Sequence, residues 1–112
     1  MELVTPDGRV EALPLRPVRF SGALPVTGRL PRGPVRNLNL MLREGRCRGE
    51  VARLGELPEE RAGLRLLHVA AGGLQVGDTM AGAGATVIDP AGAIRADAGS
   101  AILDIRILPE TA

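Results

Sequence analysis

The sequence predicts an all-β protein, on three observations. Fifteen glycines and nine prolines among 112 residues interrupt the chain about once every five positions. Both residues are poor in helix interiors, so a helix of several turns has no room to form. Short apolar runs cut by turn residues recur along the whole chain, the pattern of a sandwich or barrel. The clearest run, Leu103-Asp104-Ile105-Arg106-Ile107, alternates with the period of two that a strand requires.

Taken in order, strands are expected over residues 2–4, 9–13, 18–20, 26–30, 36–43, 46–54, 64–71, 74–76, 86–88 and 101–108. Pro6-Asp7-Gly8 joins the first two as a tight turn. The strands over 36–43 and 46–54 are expected to form a hairpin about Glu44-Gly45, whose two-residue loop with Gly second suits a primed turn. Closing there places Leu38, Leu40 and Leu42 opposite Val51, Gly49 and Cys47 on one face. Asn39, Met41 and Arg43 then lie opposite Glu50, Arg48 and Arg46 on the other. This hairpin is expected to be the rigid centre of the fold, with Leu40→Ala costing ~2–5 kcal/mol. The acidic stretch 55–63 is expected to be an exposed excursion with one helical turn after Pro58. Gly72-Gly73 and Gly77-Asp78 are expected turns, and 81–84 a small-residue loop. In the last strand Leu103, Ile105 and Ile107 are expected to point inward, with Asp104 and Arg106 outward.

Length and composition describe one domain spanning residues 1–112, with a core of 16 Leu, 9 Val and 5 Ile and a single aromatic residue, Phe20. The single Cys47 excludes an intramolecular disulfide, and with His68 the only histidine there is no Cys/His set for zinc. No run is long and apolar enough to span a bilayer, and the N-terminus has no basic-then-apolar leader, so a soluble cytoplasmic protein is expected. Net charge is +1, which directs the chain neither to nucleic acid nor to membrane, and one aromatic residue makes no platform for stacking successive bases. All fourteen basic residues are arginines, seven of them between Arg29 and Arg53 against only Glu44 and Glu50. A small anion is therefore the expected ligand class.

Few residues could carry catalysis. His68 shares a strand face with Leu64, Leu66 and Ala70 and reads as a half-buried histidine without metal partners. Cys47 falls on the apolar face of the expected hairpin and reads as a structural thiol. Gly82-x-Gly84 lacks the Lys-Ser/Thr and the strand-then-helix context of a phosphate loop. The polar hairpin face remains, with Asn39, Met41, Arg43 and Arg48 as candidate ligand-binding residues. Asn is a poor strand former, and its recurrence at 37 and 39 calls for a reason. Guanidinium forks bind both oxygens of a carboxylate, and Met supplies adaptable apolar contact.

The run Arg36-Asn37-Leu38-Asn39-Leu40-Met41-Leu42-Arg43-Glu44-Gly45, introduced by Arg32-Gly33-Pro34-Val35, resembles the Gly-Pro-x-Arg-Asp-Phe-Asn-Leu-Met-x-Arg-Arg-Gly segment of the HutD/Ves family, cupin-like proteins associated with bacterial histidine utilisation. Phe20-Ser21-Gly22-Ala23-Leu24-Pro25-Val26 is similar to that family's Phe-x-Gly-Asp-x-Pro-Val, and Gly77-Asp78-Thr79 to its Gly-Asp-Thr turn. Asn37, Leu38 and Glu44 depart from the family's Asp, Phe and Arg. The resemblance runs from about Pro17 to Leu108 and implies the family's C-terminal half. Residues 1–20 would then be the last strands of an N-terminal half whose Trp-x-Asn-Gly-Gly-Gly-x-Thr-x-Glu signature this sequence lacks, as in a truncated bicupin. It further implies a cupin-like jelly-roll barrel without catalytic metal or other cofactor, and a binder or regulator in amino-acid catabolism. N-formylglutamate and urocanate, both carboxylates, are the conceivable ligands. Arg36 joins the candidate residues through the family segment, since strict alternation puts it on the opposite strand face. Two other functions stay open: a cupin enzyme of isomerase or oxygenase type, and a half-domain acting by sheet association, with a homodimer as its partner state.

Overall fold

Period-two alternation and frequent turn residues leave the backbone one way to satisfy its hydrogen bonds, which is to pair strands. A computed structural model describes residues 1–19, 27–30, 33, 35–43, 45–58 and 63–109, among which there are ten β-strands and no helix. The chain divides into two compact units, Met1–Met41 and Leu42–Ala112.

In the first unit β1 (Glu2–Thr5), β2 (Gly8–Glu11) and β3 (Thr27–Arg29) form an antiparallel sheet in the order β2-β1-β3. The β1–β2 turn lies where Pro6-Asp7 puts it. The Thr5 hydroxyl accepts from the Asp7 amide and donates to the Gly8 carbonyl, both at 3.2 Å. Leu3 is this unit's one buried hydrophobic residue among those described, whereas Val10, Leu13, Leu30, Val35, Leu38 and Met41 are exposed. Val18 and Arg19 belong to no strand, and Phe20, with residues 21–26 of the expected strands and resemblance, lies outside the described residues.

The second unit holds a four-stranded sheet, β4-β10-β5-β8, and a three-stranded one, β7-β6-β9. The strands are β4 (Cys47–Arg53), β5 (Leu64–Ala71), β6 (Gly73–Val76), β7 (Thr79–Gly82), β8 (Thr86–Ile88), β9 (Ile94–Ala96) and β10 (Ala101–Pro109). All pairings are antiparallel. Leu67, Val69 and Ile102 of the larger sheet pack with Leu74 and Val76 of the smaller, and Leu54, Ala81, Val87 and Ile94 close around them. Between β5 and β6 the chain reverses at Gly72, whose φ of +82° is open to glycine, and a Cβ there would fall on Ser100.

Three expectations are corrected. Residues 35–43 form no strand, so the hairpin about Glu44-Gly45 is absent although its turn is present: the Arg43 carbonyl accepts from Arg46 and Cys47 amides at 3.2 and 3.3 Å. The partner of β4 is β10, from Leu103↔Arg53 to Pro109↔Cys47. A nine-residue strand rich in Ile and Leu outcompetes a neighbouring segment carrying two asparagines, which are poor strand formers. Leu40 is half-buried rather than central. Second, β10 has buried residues on both faces. Ile105 is buried as expected, with Leu103 and Ile107 half-buried beside it, but Asp104 and Arg106, expected outward, are buried too, on the face shared with Ile102 and Leu67. With β4 on one side and β5 on the other, β10 is an interior strand, and each of its faces carries a buried residue, Ile105 on one and Ile102 with Asp104 and Arg106 on the other. Third, β7 and β9 appear where a loop and no element were expected. Both are short and pair with β6.

Candidate functional site

The larger sheet carries a row of charges across its inner face. Register places Glu50 of β4 opposite Arg106 of β10, and Arg106 opposite Arg65 of β5. Asp104, two residues along, receives both guanidinium groups. Arg65 donates from Nε to Oδ1 at 3.1 Å and from Nη2 to Oδ2 at 2.9 Å. Arg106 donates from Nε to Oδ1 at 3.0 Å and from Nη2 to Oδ2 at 3.1 Å. Arg106 Nη1 also donates to the Pro58 carbonyl at 2.7 Å, which ties the 55–58 stretch to the sheet. Burial alone would raise the Asp104 pKa, but the hydrogen bonds from Arg65 and Arg106, and then their charges, outweigh it and hold the carboxyl below its usual range. A carboxylate with four charge-assisted donors is poor as a base or nucleophile, so the cluster positions strands rather than performing chemistry. It was missed at the sequence level because Asp104 and Arg106 looked like solvated outward residues. The signal was the parity of β10, where Ile102 and Leu108 fall on the same face as the two charges.

The candidate residues from the sequence are all exposed. Arg36, Asn39 and Met41 lie on the irregular segment at the end of the first unit, Met41 with 88% of its surface accessible. Arg43 and Arg48 belong to the second unit, Arg43 at the turn and Arg48 on β4, where it faces Leu108 rather than Met41. The hairpin that would have set Asn39, Met41, Arg43 and Arg48 on one sheet face is not formed. What the structure does bring together is a set of three arginines, Arg43, Arg46 and Arg48, on and beside one turn. None of the three side chains makes an ion pair among the described residues.

The other chemistry-bearing groups are committed elsewhere. His68 Nδ1 is 2.8 Å from Thr86 Oγ1, directly across the β5–β8 ladder. Cys47 is half-buried, its Sγ 3.9 Å from the Arg43 carbonyl. The Ser100 hydroxyl both donates to and accepts from the Gly73 backbone, at 3.0 and 2.9 Å. Among the described residues no group of three or more His, Cys, Asp or Glu is placed to hold a metal ion, and no helix is long and apolar enough to cross a membrane. Each unit has a shallow recess. One of about 310 Å³ is lined by Glu2, Arg9, Arg29 and Leu30 in the first unit. Another of about 370 Å³ in the second has Leu54 and Ile102 with Arg53 and Glu56 on its walls.

Comparison with protein families gives a match to the model described as HutD, which aligns with residues 1–105. The match starts at the first residue, well before Pro17, where the similarity of motifs became visible. No curated protein and no solved structure matches the chain.

Proposed function

The chain belongs to the HutD family, and from that premise we propose that it is a non-catalytic, cupin-like single-domain binder of small carboxylates, acting as a regulator linked to histidine or amino-acid catabolism in the cytoplasm. The observation that carries the proposal is the arginine turn. Arg43, Arg46 and Arg48 concentrate positive charge on a few residues, and none of the three side chains makes an ion pair among the described residues. Mutual repulsion in such a cluster is relieved by an anion, and a guanidinium fork meets a carboxylate through two parallel hydrogen bonds. Arg43 and Arg48 are the principal contacts in this proposal. Asn39, Met41 and Arg36 are included through the family segment that leads into Arg43.

Titration calorimetry with N-formylglutamate and with urocanate tests the proposal. One charge-assisted contact contributes ~1.5–3 kcal/mol, so Arg43→Ala is expected to weaken binding about tenfold or more. Absence of binding by both compounds removes these ligands, and equal binding by wild type and variant removes the site. Stoichiometric iron, manganese, nickel or zinc in the purified protein would overturn the non-catalytic assignment.

A further inference from the structure

The β2 edge of the first unit's sheet, unpaired among the described residues, is self-complementary. At the open end of the β1–β2 hairpin the Ala12 amide donates to the Met1 carbonyl at 2.7 Å and the Met1 terminal ammonium to the Ala12 carbonyl at 3.1 Å. Antiparallel ladders alternate bonded and non-bonded pairs, so the bonded pairs are Met1/Ala12, Leu3/Val10 and Thr5/Gly8. The backbone N–H and C=O of Arg9 and Glu11 therefore point away from β1. All four residues of β2 are exposed, β2 is an end strand, and neither Arg9 nor Glu11 makes a further backbone hydrogen bond among the described residues. An edge of this kind is a template for another strand. The opposite edge, β3, is a poorer one: Arg29 and Thr27 turn toward Glu2 and Val4, which leaves only Gly28 facing outward.

We propose that β2 pairs antiparallel with β2 of a second copy of this chain, with Val10 on the two-fold axis and Arg9 opposite the partner's Glu11. Three registers would pair outward-facing groups. Arg9 against the partner's Arg9 and Glu11 against the partner's Glu11 each set like charges face to face. The remaining one sets Arg9 against Glu11 twice, by symmetry, and forms four backbone hydrogen bonds. Glu11 stands directly opposite Glu2 within the sheet, and Glu2 already holds Arg9 of its own copy at 3.4 Å, so each Arg9 would be shared between its own Glu2 and the partner's Glu11. Like charges so placed are destabilising, and a guanidinium arriving on the free side of Glu11 offsets them. The result is a continuous six-stranded sheet of order β3-β1-β2-β2-β1-β3 across an isologous interface. This proposal does not rest on carboxylate binding.

Cross-linking and charge reversal test it in the full chain. Val10 and the partner's Val10 form a non-bonded pair with Cα atoms about 4.5 Å apart, within disulfide range. With Cys47 changed to Ser, Val10→Cys should give a disulfide dimer under mild oxidation. Ala12→Cys should not, because its two copies would lie about 14 Å apart along the strands. In sedimentation, Arg9→Glu and Glu11→Arg should each weaken dimerisation about tenfold or more, and the double variant should restore it. Circular dichroism confirms that each variant is folded. A monomer at every concentration up to the solubility limit, equal cross-linking at positions 10 and 12, or a double variant no better than the singles would overturn the proposal.

Discussion

Asp104 is completely buried yet charged, and the two bidentate arginines explain how. Removing one member of a buried pair leaves an uncompensated charge, so Asp104→Ala is expected to cost ~3–5 kcal/mol in denaturant unfolding. The pH dependence has a definite sign. The folded-state pKa lies below the ordinary value of 3.8, so the unfolded chain binds the proton more readily in that range. The contribution is therefore complete above the ordinary value and is lost as pH falls through the depressed one. Denaturation midpoints should drop steeply below about pH 4. The Asp104→Ala variant should lack that part of the slope.

At the scale of elements, packing separates strands that hold the fold from segments that decorate it. Leu67, fully buried in the joint between the two sheets of the second unit, should cost ~2–5 kcal/mol when changed to Ala. Leu40, half-buried on a segment without a ladder, should cost about 1 kcal/mol or less. Thermal unfolding of the two variants measures the contrast directly. The bend between β5 and β6 is the other sensitive point. Gly72→Ala meets both an unfavourable φ and the Ser100 backbone, and should destabilise by at least ~2 kcal/mol, whereas Gly82→Ala, with open space around it, should be milder.

At the scale of the whole molecule, the two units differ in how much apolar surface each buries. The second has a cluster shared by two sheets, while Leu3 is the one buried hydrophobic residue of the first among those described. Local opening costs less where few apolar contacts are lost. Amide hydrogen exchange should therefore be slowest in β5, β6 and β10 and faster in β1–β3. Equal protection in both would mean that they open as one. Slower exchange of Arg9 and Glu11 amides with rising protein concentration would mark pairing of β2 between copies.

What the sequence by itself determined is local. The turns at Pro6-Asp7, Gly72 and Gly77-Asp78 and the span of β5 follow from neighbouring residues, because turn geometry and strand propensity are settled within a few positions. Family membership was legible for the same reason, in the contiguous run from Arg36 to Gly45. The tertiary structure decided everything that depends on a distant partner. It gave β4 to β10 instead of to the adjacent segment, and so dissolved the face on which Asn39, Met41, Arg43 and Arg48 were expected to meet. It stabilised β7 and β9, whose three or four residues carry little strand signal of their own, against β6. It also turned Asp104 and Arg106 inward, because alternation states that two faces differ but not whether one or both are covered. That choice belongs to Arg65, Leu67 and the second sheet, which can supply paired charge and apolar contact only once the chain has folded.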